Sequence, residues 1–290
     1  MQEIAAKIPS RRAYPGVVAA PTHGLLRAET PARRTSTDPL ACGAARPTGP
    51  SMLAESLVYA RSFRRTPPAF RPHLADAVGL WARGQRQFRA WTPHLNKTLA
   101  VLDTTIDDIA SRRTVAVLGA GPLFDVPIES LARNFERVLL IDLAHLSTTD
   151  RRTDRYRNIE RVWRDLAPEA DPHPLAFLGD IPGLDWVISV NLLSQIGRAA
   201  ADGDERPTID AHLSGLSALS MPVTLVTDVD YRVFDSAGTL IEDVDLMHGR
   251  ALPPPESRWL WEVAPLGEEA PDRRRIHTVV AYPDWHVANR

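Results

Sequence analysis

Cysteine is almost missing from this chain of 290 residues, and the single one, Cys42, excludes an intramolecular disulfide and a thiolate metal cluster. Lysine is nearly as scarce. Lys7 and Lys97 are the only two among 34 basic residues, so arginine carries the positive charge. That bias invites a phosphate-binding reading, although a GC-rich coding sequence produces it equally well. Neither sign of charge is in excess, because 36 acidic residues bring the net charge to −2, and the balance speaks against nucleic acid or acidic membrane as a partner. Long apolar runs are absent too. None approaches the roughly 18 residues of a membrane-spanning helix, and no apolar signal segment follows the start. The expectation is a cytoplasmic chain whose partner is a small molecule. The nine histidines show no i, i+4 pair of the helical zinc type, so no metal is expected. What the chain does have is an apolar fraction of 44%, enough for a sizeable core.

Three segments are expected. Residues 1–51 mix Pro, Ala, Arg, Thr and Gly without a period and cannot bury enough apolar area to offset chain entropy, so they read as a disordered tail, with Met52 as an alternative start. Residues 52–112 read as a helical cap. Leu53, Leu57 and Tyr59 begin it, Leu74, Val78, Trp81, Phe88 and Trp91 continue it, and Pro93 is expected to break it. A second helix then carries Leu95, Leu99, Leu102, Ile106 and Ile109 on one stripe.

From residue 113 onward, strand and helix alternate. Val115 to Leu118 reads as the first strand, followed by a helix opened by Pro127, and Arg137 to Asp142 as the second. Tyr156, Ile159, Val162, Trp163 and Leu166 fall at helical spacing, which leaves Leu175 to Asp180 as the third strand. Trp186 to Val190 and Val223 to Thr227 are the fourth and fifth, separated by a helix with Ile209, Leu213 and Leu216 on its apolar face. Such alternation predicts a mostly parallel, doubly wound α/β sheet of the Rossmann-like kind. The end of the chain departs from it. A hairpin is expected about Asp235-Ser236-Ala237-Gly238, and Arg258 to Val263 with Arg275 to Tyr282 form an antiparallel pair.

Ligands of such sheets sit outside the carboxyl ends of the strands. After the first strand stands Gly119-Ala120-Gly121, where the absence of Cβ lets backbone amides face a ligand closely. About twenty residues later the second strand ends on Asp142, placed to accept hydrogen bonds from two ribose hydroxyls. Asp180, Asn191, Asp228, Asp230 and Tyr231 follow the later strands.

With Val117-Leu118-Gly119-Ala120-Gly121, Ile141-Asp142, Gly179-Asp180, Ser189-Val190-Asn191 and the antiparallel final pair, the chain from about Arg113 to its end resembles the class I S-adenosylmethionine-dependent methyltransferases. The resemblance implies S-adenosylmethionine as cofactor, with Gly119, Ala120 and Gly121 beside its methionine part. It further implies Asp142 on the ribose, Asp180 at the adenine amino group, and Asn191 beside the reactive methyl. Val117 stands where many members carry an acid, and Leu123 where many have a third glycine. The Gly-x-Gly-Pro-Leu form also resembles nicotianamine synthases, which use the same cofactor for aminopropyl transfer.

If the acceptor must lose a proton, Asp228, Asp230 and Tyr231 are the candidate catalytic groups, with His145 and His248 behind them. Two other readings use the same residues. An NAD(P)- or FAD-dependent oxidoreductase shares the glycine turn and the acid, but its fingerprint needs a glycine where Phe124 sits. A methyltransferase-like binding module without catalysis is the other.

Overall fold

The computed structural model describes residues 52–168, 171–196 and 205–289; the tail expected over residues 1–51 lies outside them. The described residues all fall within one compact unit, which holds both the expected cap and the expected cofactor-binding domain.

In chain order the helices α1 (Met52–Phe63), α2 (Leu74–Arg86) and α3 (Phe88–Asp108) precede β1 (Thr114–Leu118). There follow α4 (Ile128–Asn134), β2 (Arg137–Asp142), α5 (Asp150–Thr153), β3 (Ile159–Trp163), β4 (Leu184–Val190), α6 (Leu193–Ile196) and α7 (Arg206–Ser217). β5 (Val223–Asp235), β6 (Leu240–Asp245), β7 (Ser257–Ala264), β8 (Arg273–Tyr282) and α8 (Trp285–Ala288) complete the described chain. All eight strands join one sheet in the order β3-β2-β1-β4-β5-β8-β7, with β6 paired to the far half of β5. β1 to β5 are parallel, and β8 lies antiparallel to both β5 and β7. The chain order reverses between β1 and β4, the place where sheets of this kind bind ligands.

Both faces are covered, as alternation along β1 requires. Val115 and Val117 go to a core shared with Leu102 and Ile106 of α3 and Leu131 of α4. Ala116 and Leu118 go to the opposite core, with Leu213 and Leu216 of α7 and Trp285 of α8. The Rossmann-like expectation, with its antiparallel terminal pair and amino-terminal helices, is met.

Two element assignments are corrected. Ile159–Trp163 is not helical but the edge strand β3, parallel to β2. Its apolar residues fit a helical stripe, yet the ladder with β2, the ion pair of Arg137 with Glu160 at 2.7 Å, and Asn158 bonded to the carbonyls of Ala132 and Phe135 hold it extended. Leu175 to Asp180 is not a strand: Ala176–Asp180 is a 3-10 turn whose amides bond three residues back. Leu175 and Leu178, three apart, share one eclipsed face of that turn, and Gly215 of α7 leaves room for Leu175 against it. A smaller correction concerns the cap. The helical break falls at Gln87 and α3 continues through Pro93.

Candidate functional site

The glycine turn leaves β1 in an unusual backbone. Gly119, Gly121 and Leu123 all have positive φ, at 74°, 50° and 60°. The two glycines use that freedom differently. A Cβ on Gly119 would stand 2.9 Å from Leu192 Cβ and 3.2 Å from the Val190 carbonyl, so this glycine lets the turn close on the loop after β4. A Cβ on Gly121 would have no neighbour nearer than 3.9 Å, so this part of the turn faces space. Ala120 between them is buried.

Asp142 reaches this turn from the tip of β2. Its Oδ2 accepts the Gly121 N–H at 2.7 Å and its Oδ1 the Ala144 N–H at 3.2 Å, leaving each oxygen one further acceptor site. Phe124 locks the turn from outside. Its ring lies edge-on to Trp91 with centroids 6.5 Å apart, and it fills the space over Gly84, where a Cβ would come within 2.3 Å of it.

Asp180 does not join them. It lies three residues before Gly183, whose carbonyl accepts the Thr114 N–H at the first residue of β1, and so belongs to the amino edge of the sheet, a strand length of roughly 16 Å from the glycine turn. The acid that follows the true third strand is Asp165. It is exposed, its Oδ1 accepts the Ala167 N–H at 2.9 Å, and the neighbouring Arg164 N–H donates to the Asp142 carbonyl at 3.1 Å.

Asn191, left-handed at φ 47°, belongs to a buried polar cluster beneath the first turns of α3. Its Nδ2 position lies 2.6 Å from Asp125 Oδ2 and 3.3 Å from His94 Nε2. The indole of Trp259, a donor only, donates to His94 Nδ1 at 3.1 Å, so the proton of the neutral imidazole sits on Nε2. Burial pushes His94 down to about 3, with Asp228 opposing and His277 adding to the shift, and keeps it neutral. Asn191 Nδ2 donates to Asp125 Oδ2 at 2.6 Å, and burial raises the Asp125 carboxyl against that opposing hydrogen bond.

Asp228 lies deeper, placed by a β-bulge between Asp228 and Asp230. Its Oδ1 accepts the Ser194 hydroxyl, and its Oδ2 is 2.6 Å from His277 Nδ1. Burial alone would raise this carboxyl, but hydrogen bonds from His277 and Ser194 and the attraction of His277 outweigh it and hold it below the ordinary carboxylate value. Tyr231 stacks on His277 with centroids 5.3 Å apart, and its hydroxyl donates to Glu242 at 3.0 Å. Asp230 instead pairs with Arg258 at 3.5 Å and Arg232 at 3.9 Å. His145 is buried, with Nε2–H on the Val162 carbonyl at 3.2 Å, and His248 pairs with Glu205 at 2.9 Å. No group of three or more His, Cys, Asp or Glu placed to hold a metal occurs among the described residues.

The structure therefore brings together Gly119, Ala120, Gly121, Asp142 and Asn191, sets Asp228 and Tyr231 about His277, and leaves Asp180 apart. Three residues escaped the sequence reading: His94, Asp125 and His277. The first had a signal, since it shares the buried stripe of α3 with Trp91, Thr98 and Leu102. His277 is one polar residue in the apolar strand β8, a pattern that periodicity registers only as core.

The buried imidazoles give a pH dependence. His94 and His212, the latter pushed down to about 4 by burial, are neutral when folded and take a proton near 6.5 when unfolded. Their depressed folded values make stability complete above about pH 6.5 and lost as pH falls toward 4, by about 1.4 kcal/mol per pH unit for each. Urea unfolding at pH 7, 6 and 5 should show this decline, with a shallower slope in His212→Asn; a flat profile contradicts it.

No family model and no curated protein matches the chain. Among solved structures, it is similar to the 1,6-didemethyltoxoflavin N1-methyltransferase of Burkholderia thailandensis, with 17% identity, 84% of this chain and 99% of that one covered, and a TM-score of 0.39. The N-methyltransferase NodS of Bradyrhizobium japonicum, crystallised with S-adenosylhomocysteine, is 14% identical over 65% of this chain and 87% of its own, with a TM-score of 0.35. Precorrin-6y C5,15-methyltransferase of Geobacter metallireducens is 16% identical over 65% and 86%, with a TM-score of 0.30. All three are methyltransferases.

Proposed function

We propose that this chain binds S-adenosylmethionine across the carboxyl edge of its sheet and passes the methyl group to a small-molecule acceptor. The observation that carries the reading is the Asp142 carboxylate, bonded to Gly121 N–H at 2.7 Å and holding two acceptor sites free at the place where the strand order reverses. Two free sites on one carboxylate suit the vicinal hydroxyls of a ribose. The open side of the turn lies at Gly121, with room there for the methionine part beside Gly119 and Ala120. Asp165, at the tip of β3 next to Asp142, takes the adenine side in place of Asp180.

When bound, the cofactor supplies a methyl group already activated on a sulfonium. The chain has then only to hold the acceptor in line and keep water out, which positioning alone can make fast. Asn191, Trp91 and His94 stand on the acceptor side, under α3. Phe124 supports this cofactor over a dinucleotide, because its ring, packed on Trp91 and Gly84, stands at the third position of a dinucleotide fingerprint, which needs glycine.

Thermal unfolding with S-adenosylhomocysteine and with NADH tests the choice. At a hundred times its dissociation constant a ligand adds about 2.7 kcal/mol, a rise on the order of 5–10 °C for a chain of this size. S-adenosylhomocysteine is expected to give that rise and NADH none; the reverse pattern overturns the reading.

A further inference from the structure

Three buried polar atoms, in β8, in β7 and just after β4, have no partner: His277 Nε2, Trp261 Nε1 and one side-chain atom of Asn191. They belong to one cluster. His94 contacts Asn191 at 3.3 Å and stacks on Trp261 with centroids 4.0 Å apart, and Trp261 stands 5.9 Å from His277. Buried polar atoms are normally satisfied, so three orphans together call for a ligand that both donates and accepts hydrogen bonds.

His277 differs from the rest in what it offers. Register places it opposite Tyr231 on β5 and Trp261 on β7, so its ring is held between two aromatic neighbours. Asp228 holds it from below at 2.6 Å. A carboxylate at this contact accepts, so Nδ1 carries the proton and Nε2 presents a bare lone pair. Of the other groups facing it, His94 Nδ1 is taken by Trp259, and Asp228 is turned to His277 and Ser194. His212 also has an unpartnered nitrogen, but on the opposite face of the sheet, against Ser189.

We propose that His277 Nε2 takes the acceptor's proton, with Asp228 as its positioning residue, and that the acceptor is an O–H or N–H compound seated beside Tyr231 and Trp261. The assignment rests on the reading of the site as one for methyl transfer. In the step, the acceptor's lone pair bonds the methyl carbon as the carbon–sulfur pair returns to sulfur. The acceptor's proton passes to Nε2, and the resulting imidazolium faces the Asp228 carboxylate until water removes the proton.

The test uses the whole chain with S-adenosylhomocysteine, S-adenosylmethionine and phenol, a small aromatic O–H acceptor. Calorimetry with S-adenosylhomocysteine reads the cofactor proposal alone, and its affinity should agree within about twofold among wild type, His277→Gln and Asp228→Asn. Nitrogen-15 spectra should show His277 protonated on Nδ1, with the proton shifted to Nε2 in Asp228→Asn; phenol should move the wild-type Nε2 signal, an effect that a merely structural role would not give. Methyl phenyl ether formation should fall at least about 100-fold in His277→Gln. If that variant fails to fold, the wild-type spectra with phenol decide. A wild type protonated on Nε2, spectra indifferent to phenol, no ether from the wild type, or equal rates in wild type and His277→Gln each overturn the assignment. Failure of the wild type to bind S-adenosylhomocysteine overturns the cofactor reading instead.

Discussion

Trp186→Ala is expected to lower the unfolding free energy by about 4 kcal/mol, within the range of 3–5 kcal/mol for removing a buried tryptophan. Trp186 is fully buried at the centre of β4, stacks on Phe135 with centroids 5.8 Å apart, and donates its indole N–H to Thr224 Oγ1 at 3.0 Å. Truncation removes the ring, opens a cavity between β4 and the segment that follows α4, and strips Thr224 of a donor. Domains of this kind hold only about 5–15 kcal/mol in all, so the variant should be visibly marginal. Urea titration should move the midpoint while leaving the slope unchanged. Trp186→Phe, which keeps most of the volume and loses the N–H, should cost only about 1–2 kcal/mol. A loss under about 1.5 kcal/mol for the alanine variant would mean that this ring is not the packed centre of its core.

Asp142→Ala should weaken S-adenosylhomocysteine binding by about 1.5–3 kcal/mol, or roughly 10- to 150-fold. The carboxylate is proposed to serve the ligand while it tethers the turn through Gly121 N–H at 2.7 Å, so its loss removes the ligand's acceptor and slackens the cradle together. Asp180→Ala is the matching control. Asp180 sits beside the amino edge of the sheet, so its removal should leave the affinity unchanged. Asp165→Ala should weaken binding less than Asp142→Ala, because its exposed carboxylate interacts in competition with water. Equal affinities for wild type and Asp142→Ala would remove the ribose assignment.

Much of this fold is written locally. Val115 to Leu118 and Trp186 to Val190 are short β-rich runs buried on both faces, and the turn at Asp235–Gly238 is signalled by its own residues: Gly238 is left-handed, and Asp235 accepts the amides of Ala237 and Thr239. The third strand was lost because Ile159-Glu160-Arg161-Val162-Trp163 fits two periods at once, and only pairing with β2, a contact across the sequence, decides between them. That single exchange moved the acid expected after the third strand from Asp165 to Asp180, which lies at the opposite edge of the sheet. Asp142 and the glycines lie where the sequence puts them, at the tips of β2 and β1, because each is marked by an adjacent strand.

The polar cluster about Asn191 and Asp228 is less legible in the sequence for a related reason. His94, Asp125 and His277 come from α3, the glycine turn and β8, and no spacing in the chain links them. The crossing of α3 over the sheet brings His94 to Asn191, the loops after β1 and β4 bring Asp125 there, and the β5–β8 pairing brings His277 to Asp228. Asp228 was found because it follows a strand. Its partner, hidden within β8, was not.

Calorimetric titration of the wild-type chain with S-adenosylhomocysteine tests the central claim most directly. The account predicts saturable binding of one molecule per chain. Absence of binding at millimolar ligand would contradict it.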